Sequence, residues 1–120
     1  MSSPSPFAGA MGSPFADLEA SPEREIAPGV KIRVAWGKHL MLSRVVMEPG
    51  AVVPMHSHPN EQAGIVLAGE FDFTIGTETR RVRTGDTYFI PGGVTHGCTA
   101  SAGQAIALDI FTPPREDYKK

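Results

Sequence analysis

Three of the four histidines in this chain, His56, His58 and His96, fall inside two blocks framed by glycine and proline. Imidazole nitrogen is the commonest protein ligand for divalent metals, so the first question is whether the chain can bring these rings together. The first block opens at Gly50, passes His56 and His58, continues to Gln62 and closes at Gly69, and the second runs from Gly85 through Pro91 and Gly93 to His96. Alternate side chains of an extended strand share a face, so a strand over residues 52–58 aims His56 and His58 at one ion. The turn Pro91-Gly92-Gly93 can deliver His96 to the same place, because proline fixes φ and glycine accepts backbone angles closed to other residues. With one glutamine, the three imidazoles make a four-ligand metal site. A single strand histidine is more often a surface or core residue, and for His39, beside Lys38, that plainer reading holds.

The elements that must position these residues read as β throughout. Strands are expected over residues 31–36, 40–48, 52–58, 62–68, 70–75, 79–83, 87–90, 95–99 and 104–111, separated by Gly, Pro, Asp and Asn. Short strands at this spacing, with no long helical period between them, indicate an all-β sandwich or barrel. Phe71, Phe73 and Ile75 alternate with Glu70, Asp72 and Thr74, which places the aromatic face inward. The strand over 62–68 is apolar on both faces, through Ala63, Ile65, Val66 and Leu67, so one face is free to pack against a second subunit and a homodimer is expected. Residues 1–22, rich in Ser, Pro, Ala and Gly, read as a flexible arm in which Phe7, Phe15 and Leu18 are candidates for docking, and residues 23–120 read as one domain.

At 120 residues, a single core needs no disulfide, and the lone Cys98 can make no internal bridge. Cys98 shares a strand face with His96 and is read as a small buried residue, with a pocket-lining role open. The formal net charge of -2, with scattered basic residues, points away from nucleic acid and anionic membrane as partners. No apolar run approaches the ~20 residues of a membrane-spanning helix, and the first ten residues lack a signal-peptide pattern. A cytoplasmic location is expected.

The C-terminal stretch carries a second set of reactive groups. Asp109 sits on the apolar strand Ala105-Ile106-Ala107-Leu108 and shares a face with Phe111. A carboxylate desolvated there has a raised pKa, which suits proton transfer near neutral pH, unless it serves to cap a turn or pair an arginine. Pro113-Pro114 can turn Arg115 back over the barrel mouth as a fork for a substrate carboxylate.

Both histidine blocks resemble the two signature motifs of the cupin superfamily, and together they span about residues 50–100. The resemblance implies a double-stranded β-helix, a jelly-roll barrel, with His56, His58, Gln62 and His96 as ligands to one divalent ion. Most cupins carry Glu where this chain has Gln62, with Glu61 one place earlier on the opposite face, and Ala100 stands where the second motif usually ends in Asn. Three imidazoles and an amide leave the ion its full charge of +2, and an octahedral ion would keep two adjacent positions open for substrate. The donors fit Zn, Ni, Fe, Co or Mn.

Residues 111–118, with the block from His56 to Gln62, resemble the small bacterial cupins of pectin degradation that ketonize unsaturated uronates. That likeness implies a metal-dependent isomerase, a small sugar acid as substrate, and functional roles for Asp109, Phe111 and Arg115. Asn60 lies where related sequences often have His. Two other readings stay open: a metal-dependent dioxygenase, and a non-catalytic module that binds a sugar acid or a metal.

Overall fold

Period-two burial runs through most of this chain and sets its architecture. The computed structural model describes residues 14–120. Ten strands form: β1 (Arg24–Ala27), β2 (Val30–Trp36), β3 (Met41–Met47), β4 (Val52–His56), β5 (Glu61–Ala68), β6 (Glu70–Ile75), β7 (Glu78–Arg83), β8 (Thr87–Ile90), β9 (His96–Ala100) and β10 (Ala105–Thr112). They make a six-stranded sheet in the order β1-β2-β3-β10-β5-β8 and a four-stranded sheet in the order β4-β9-β6-β7. Every pairing is antiparallel. The only helical segments among the described residues are single 3₁₀ turns at Leu18–Ala20 and Glu116–Tyr118.

The inner faces close on Val30, Ile32, Met41, Met47, Phe71 and Ile90, each nearly inaccessible to solvent. Complete burial of a side chain of this size stabilises by about 1.5–3 kcal/mol. Aromatic contact joins the sheets where the Phe73 ring on β6 meets Tyr88 on β8 edge-on, with centroids 4.7 Å apart. Registers align the larger sheet into cross-strand rows. One row runs Trp36, Met41, Phe111, Gln62, Ile90, and the next runs Val34, Ser43, Asp109, Gly64, Tyr88. The polar groups of the inner face therefore cluster in two neighbouring rows.

The structure changes the sequence reading at one place and adds to it at two. Residues 24–27 form an edge strand that the apolar pattern did not announce, because its burial alternates only weakly. The strand expected over 52–58 stops at His56, with its register broken between Val53 and His56. Pro54 offers no ladder donor, and Pro59 restricts the backbone of His58. His56 and His58 are thus not alternate residues of one strand. Residues 18–20, inside the expected arm, form a 3₁₀ turn whose Glu19 pairs with Arg44, while Arg33 donates to the Glu19 and Ser21 carbonyls. Phe7 lies outside the described residues.

Candidate active site

The three histidine rings converge although one of them has left its strand. Their nearest ligand atoms all lie within 4.8 Å of one another, with ring centroids 4.3 to 5.8 Å apart. His56 and His96 are cross-strand partners at the ends of β4 and β9. His58 is tied in by the second block: the Gly93 N–H donates to the His58 carbonyl at 2.8 Å. A Cβ on Gly92 would sit 2.3 Å from the Pro59 carbonyl oxygen, so only glycine lets the two loops touch.

Each imidazole is oriented in the same way. Nδ1 of His56 lies 2.9 Å from the Pro54 carbonyl, Nδ1 of His58 lies 3.1 Å from that of Asn60, and Nδ1 of His96 lies 2.9 Å from that of Val94. A carbonyl only accepts, so each Nδ1 carries the proton and each Nε2 presents a lone pair. Nε2 of His96 is buried without a hydrogen-bond partner. Nε2 of His58 faces Oε1 of Gln62 at 3.1 Å, which sets two acceptors against each other. An orphaned nitrogen and two opposed acceptors fit a bound cation. Burial lowers the pKa of His96 to about 4, and burial followed by the Arg115 charge lowers that of His58, so both rings are neutral and ready to ligate near pH 7. Gln62 is buried and Glu61 exposed, as the alternation of β5 requires.

Asp109 lies one row away on β10, facing the same cleft. Burial pushes its carboxyl up to about 6, opposed by hydrogen bonds from Tyr88 and Gln62 and by the Arg115 charge. The Tyr88 hydroxyl donates to Oδ1 of Asp109 at 2.6 Å. Gly64 makes this possible, because any Cβ there would meet the Tyr88 ring at 2.4 Å. Tyr88 is not prominent in the sequence; its one signal is that alternation over residues 87–90 turns it inward beside Ile90. Ser43, the other neighbour of Asp109 in that row, is fully buried with its hydroxyl unpartnered.

Phe111 closes one wall, with its ring 5.5 Å from that of His58. Arg115 stacks over Tyr118 at 3.9 Å and lies 5.3 Å from the Phe111 centroid. Its fork holds Asp117 through two hydrogen bonds of 2.8 and 3.2 Å, so an incoming carboxylate must share or displace that partner. Asn60 fixes the segment before Arg115 by donating to the Pro113 carbonyl at 2.6 Å. The cleft, about 530 Å³ of empty space including its open mouth, is lined by His56, Gln62, His96, Asp109, Phe111 and Arg115. Cys98 also lines it, but burial and the nearby Asp109 raise its thiol to about 12, and the thiol points to the Met47 sulfur. It is protonated and poorly suited to nucleophilic work. His39 is exposed and away from the cluster.

Fold and site together define a class. The cupin domain model matches residues 43–111, and the chain belongs to the cupin family. Within that family it is 32% identical over 106 residues to the pectin degradation protein KdgF of Dickeya dadantii, covering 87% of this chain and 96% of that protein. The structure of KdgF from Halomonas sp. superimposes with a TM-score of 0.81 at 28% identity, over 88% of this chain and 98% of the other. The H2HPP isomerase of Bacillus subtilis is 30% identical over 100 residues, covering 81% of this chain and 42% of that protein.

Proposed function

We propose that this protein is a metal-dependent isomerase that converts cyclic 4,5-unsaturated monouronates, released by pectin or alginate breakdown, into their linear keto forms. The observation that carries this reading is the cluster of His56, His58 and His96, with Gln62 beside His58, bordering a cleft lined by Asp109, Phe111 and Arg115, in a chain similar to KdgF over nearly its whole length. The isomerase name of a second relative supports the reaction class.

The four ligands would hold one divalent ion, whose Lewis acidity stabilises negative charge developing on a substrate oxygen. The rest falls to the chain itself. Arg115 pairs with the uronate carboxylate, and Phe111 packs against the sugar ring. As the ring opens, the bond from C1 to the ring oxygen breaks, the C1 hydroxyl gives up its proton as C1 becomes an aldehyde, and the former ring oxygen takes up a proton, leaving C5 as an enol. Asp109 then handles the proton balance in which the enol hydroxyl loses a proton and C4 gains one. No atom is gained or lost and no electron acceptor is needed. A carboxyl with pKa about 6 can serve as base and as acid near neutrality.

The test is the ultraviolet absorbance of a 4,5-unsaturated monouronate mixed with metal-loaded protein. Ketonization destroys the conjugated double bond, so the absorbance should decay, and the decay should vanish in a His56→Ala variant. No acceleration over buffer with the metal site filled would overturn the assignment and direct attention to oxygen uptake.

A further inference from the structure

Gln62 can face the histidines in only one of two ways, and the choice matters to any bound cation. An amide turned one way offers oxygen to the ion, and turned the other way offers an N–H₂ group that cannot ligate. Here the oxygen faces His58, and Gln62 lies diagonally across from Asp109 on the inner face of the paired strands β5 and β10, in the same cleft, where its amide lowers the pKa of the Asp109 carboxyl. An ionised carboxylate only accepts, so Gln62 must give Asp109 its N–H, which leaves the oxygen for the ion. Asp109 can do this only if its own plane is held. It lies on an apolar stretch of β10 and has one strong fixed donor, the Tyr88 hydroxyl at 2.6 Å. Gly64, between Asp109 and Tyr88 in the cross-strand row, supplies the space the Tyr88 ring needs.

We propose that Tyr88 is a positioning residue, which through its hydrogen bond to Asp109 locks the Gln62 amide with its oxygen toward His56, His58 and His96. The residues follow one another across the sheet: the Tyr88 hydroxyl donates to Asp109, Asp109 lies diagonally across from Gln62, and the Gln62 oxygen sits beside His58. Outer partners of this kind orient metal ligands and tune affinity. Tyr88 is not one of the clustered ligand residues and acts on them through Asp109 and Gln62, so its effect appears first in metal binding. Its effect on turnover rests on the reaction proposed above, whereas its effect on metal binding does not.

The experiment is a Co²⁺ titration of the full chain followed by visible absorption, which reports the ligand set, alongside turnover of the unsaturated monouronate. Tyr88→Phe keeps the ring against Phe73 and removes only the hydroxyl. Its Co²⁺ spectrum should change and its affinity fall by about three- to tenfold, less than the 10–100-fold typical of a partner that touches the ligand directly. Its kcat should fall with KM little changed, and because a buried carboxyl loses its donor its Tm should fall as well. Gly64→Ala, which forces the ring aside and leaves the hydroxyl chemically intact, should give the same spectral change, so the proposal stays testable if one variant folds poorly. Wild-type spectrum and affinity in either well-folded variant would overturn it. If wild-type protein binds Co²⁺ but leaves the uronate untouched, the reaction assignment falls, and the spectra alone decide the role of Tyr88.

Discussion

The carboxyl of Asp109 is the residue on which most of the proposed chemistry depends. Asp109→Asn keeps an oxygen able to accept the Gln62 amide, so metal content should be retained while turnover falls by about 10²–10⁴, the usual contribution of a positioned acid or base. Metal analysis beside the absorbance assay checks this, and normal turnover would remove Asp109 from the mechanism. The same carboxyl shapes stability in metal-free protein. Its folded pKa is raised from 3.8 to about 6, so the stability it contributes at low pH is lost as pH rises from 3.8 through about 6. His96 acts with the opposite sign: its folded pKa is lowered from 6.5 to about 4, so its contribution is present above 6.5 and is lost as pH falls toward 4. Between about pH 4 and 6 the two slopes oppose each other. Asp109→Asn leaves the histidine slope alone, and the Tm of that metal-free variant should climb with pH across this window more steeply than that of wild type. Parallel curves would mean that the carboxyl does not hold its raised pKa.

At the scale of elements, the site depends on loops that meet where strands end. β4 yields His56 and then breaks, and the segment after it carries His58 to the Pro91-Gly92-Gly93 turn that leads into His96 on β9. The contact leaves no room at Gly92, where an added methyl would lie 2.3 Å from a backbone oxygen that cannot rotate away. Gly92→Ala should therefore cost about 1–3 kcal/mol by denaturant unfolding and should weaken Co²⁺ binding, because the loop that yields also carries His58. Unfolding and binding both at wild-type levels would show that the two loops are not coupled. The boundaries of the regular strands were legible in sequence to within a residue or so, since alternation and turn residues act locally. The early end of β4 was partly legible, through Pro54 and Pro59. β1 was not, because an edge strand with a weak burial pattern is defined by its neighbour β2.

For the whole molecule, the larger sheet has an outer face of Ala63, Ile65, Ile106, Leu108 and Ile110, half-buried, flanked by Leu67 and Phe89 at 44% and 73% exposure. We propose that a second copy covers this face, as the two-sided apolar pattern of β5 led us to expect. Light scattering should give twice the chain mass, and Phe89→Lys should shift the protein toward monomer; a monomeric wild type would remove the expectation. Among the described residues no helix is long and apolar enough to cross a membrane.

The sequence by itself determined the β class, the inward aromatic face of β6, and the residues able to ligate a cation, because side-chain type and period-two alternation are properties of the chain alone. The desolvation of Asp109 was also readable, from the apolar run before it. Only the tertiary structure decided which groups meet. It placed Gly64 between Asp109 and Tyr88, set the Gln62 oxygen beside His58, and engaged the fork of Arg115 with Asp117. These contacts join residues on different strands or hang on the path of a terminal turn. Their geometry follows from sheet register and loop closure, which no local pattern encodes.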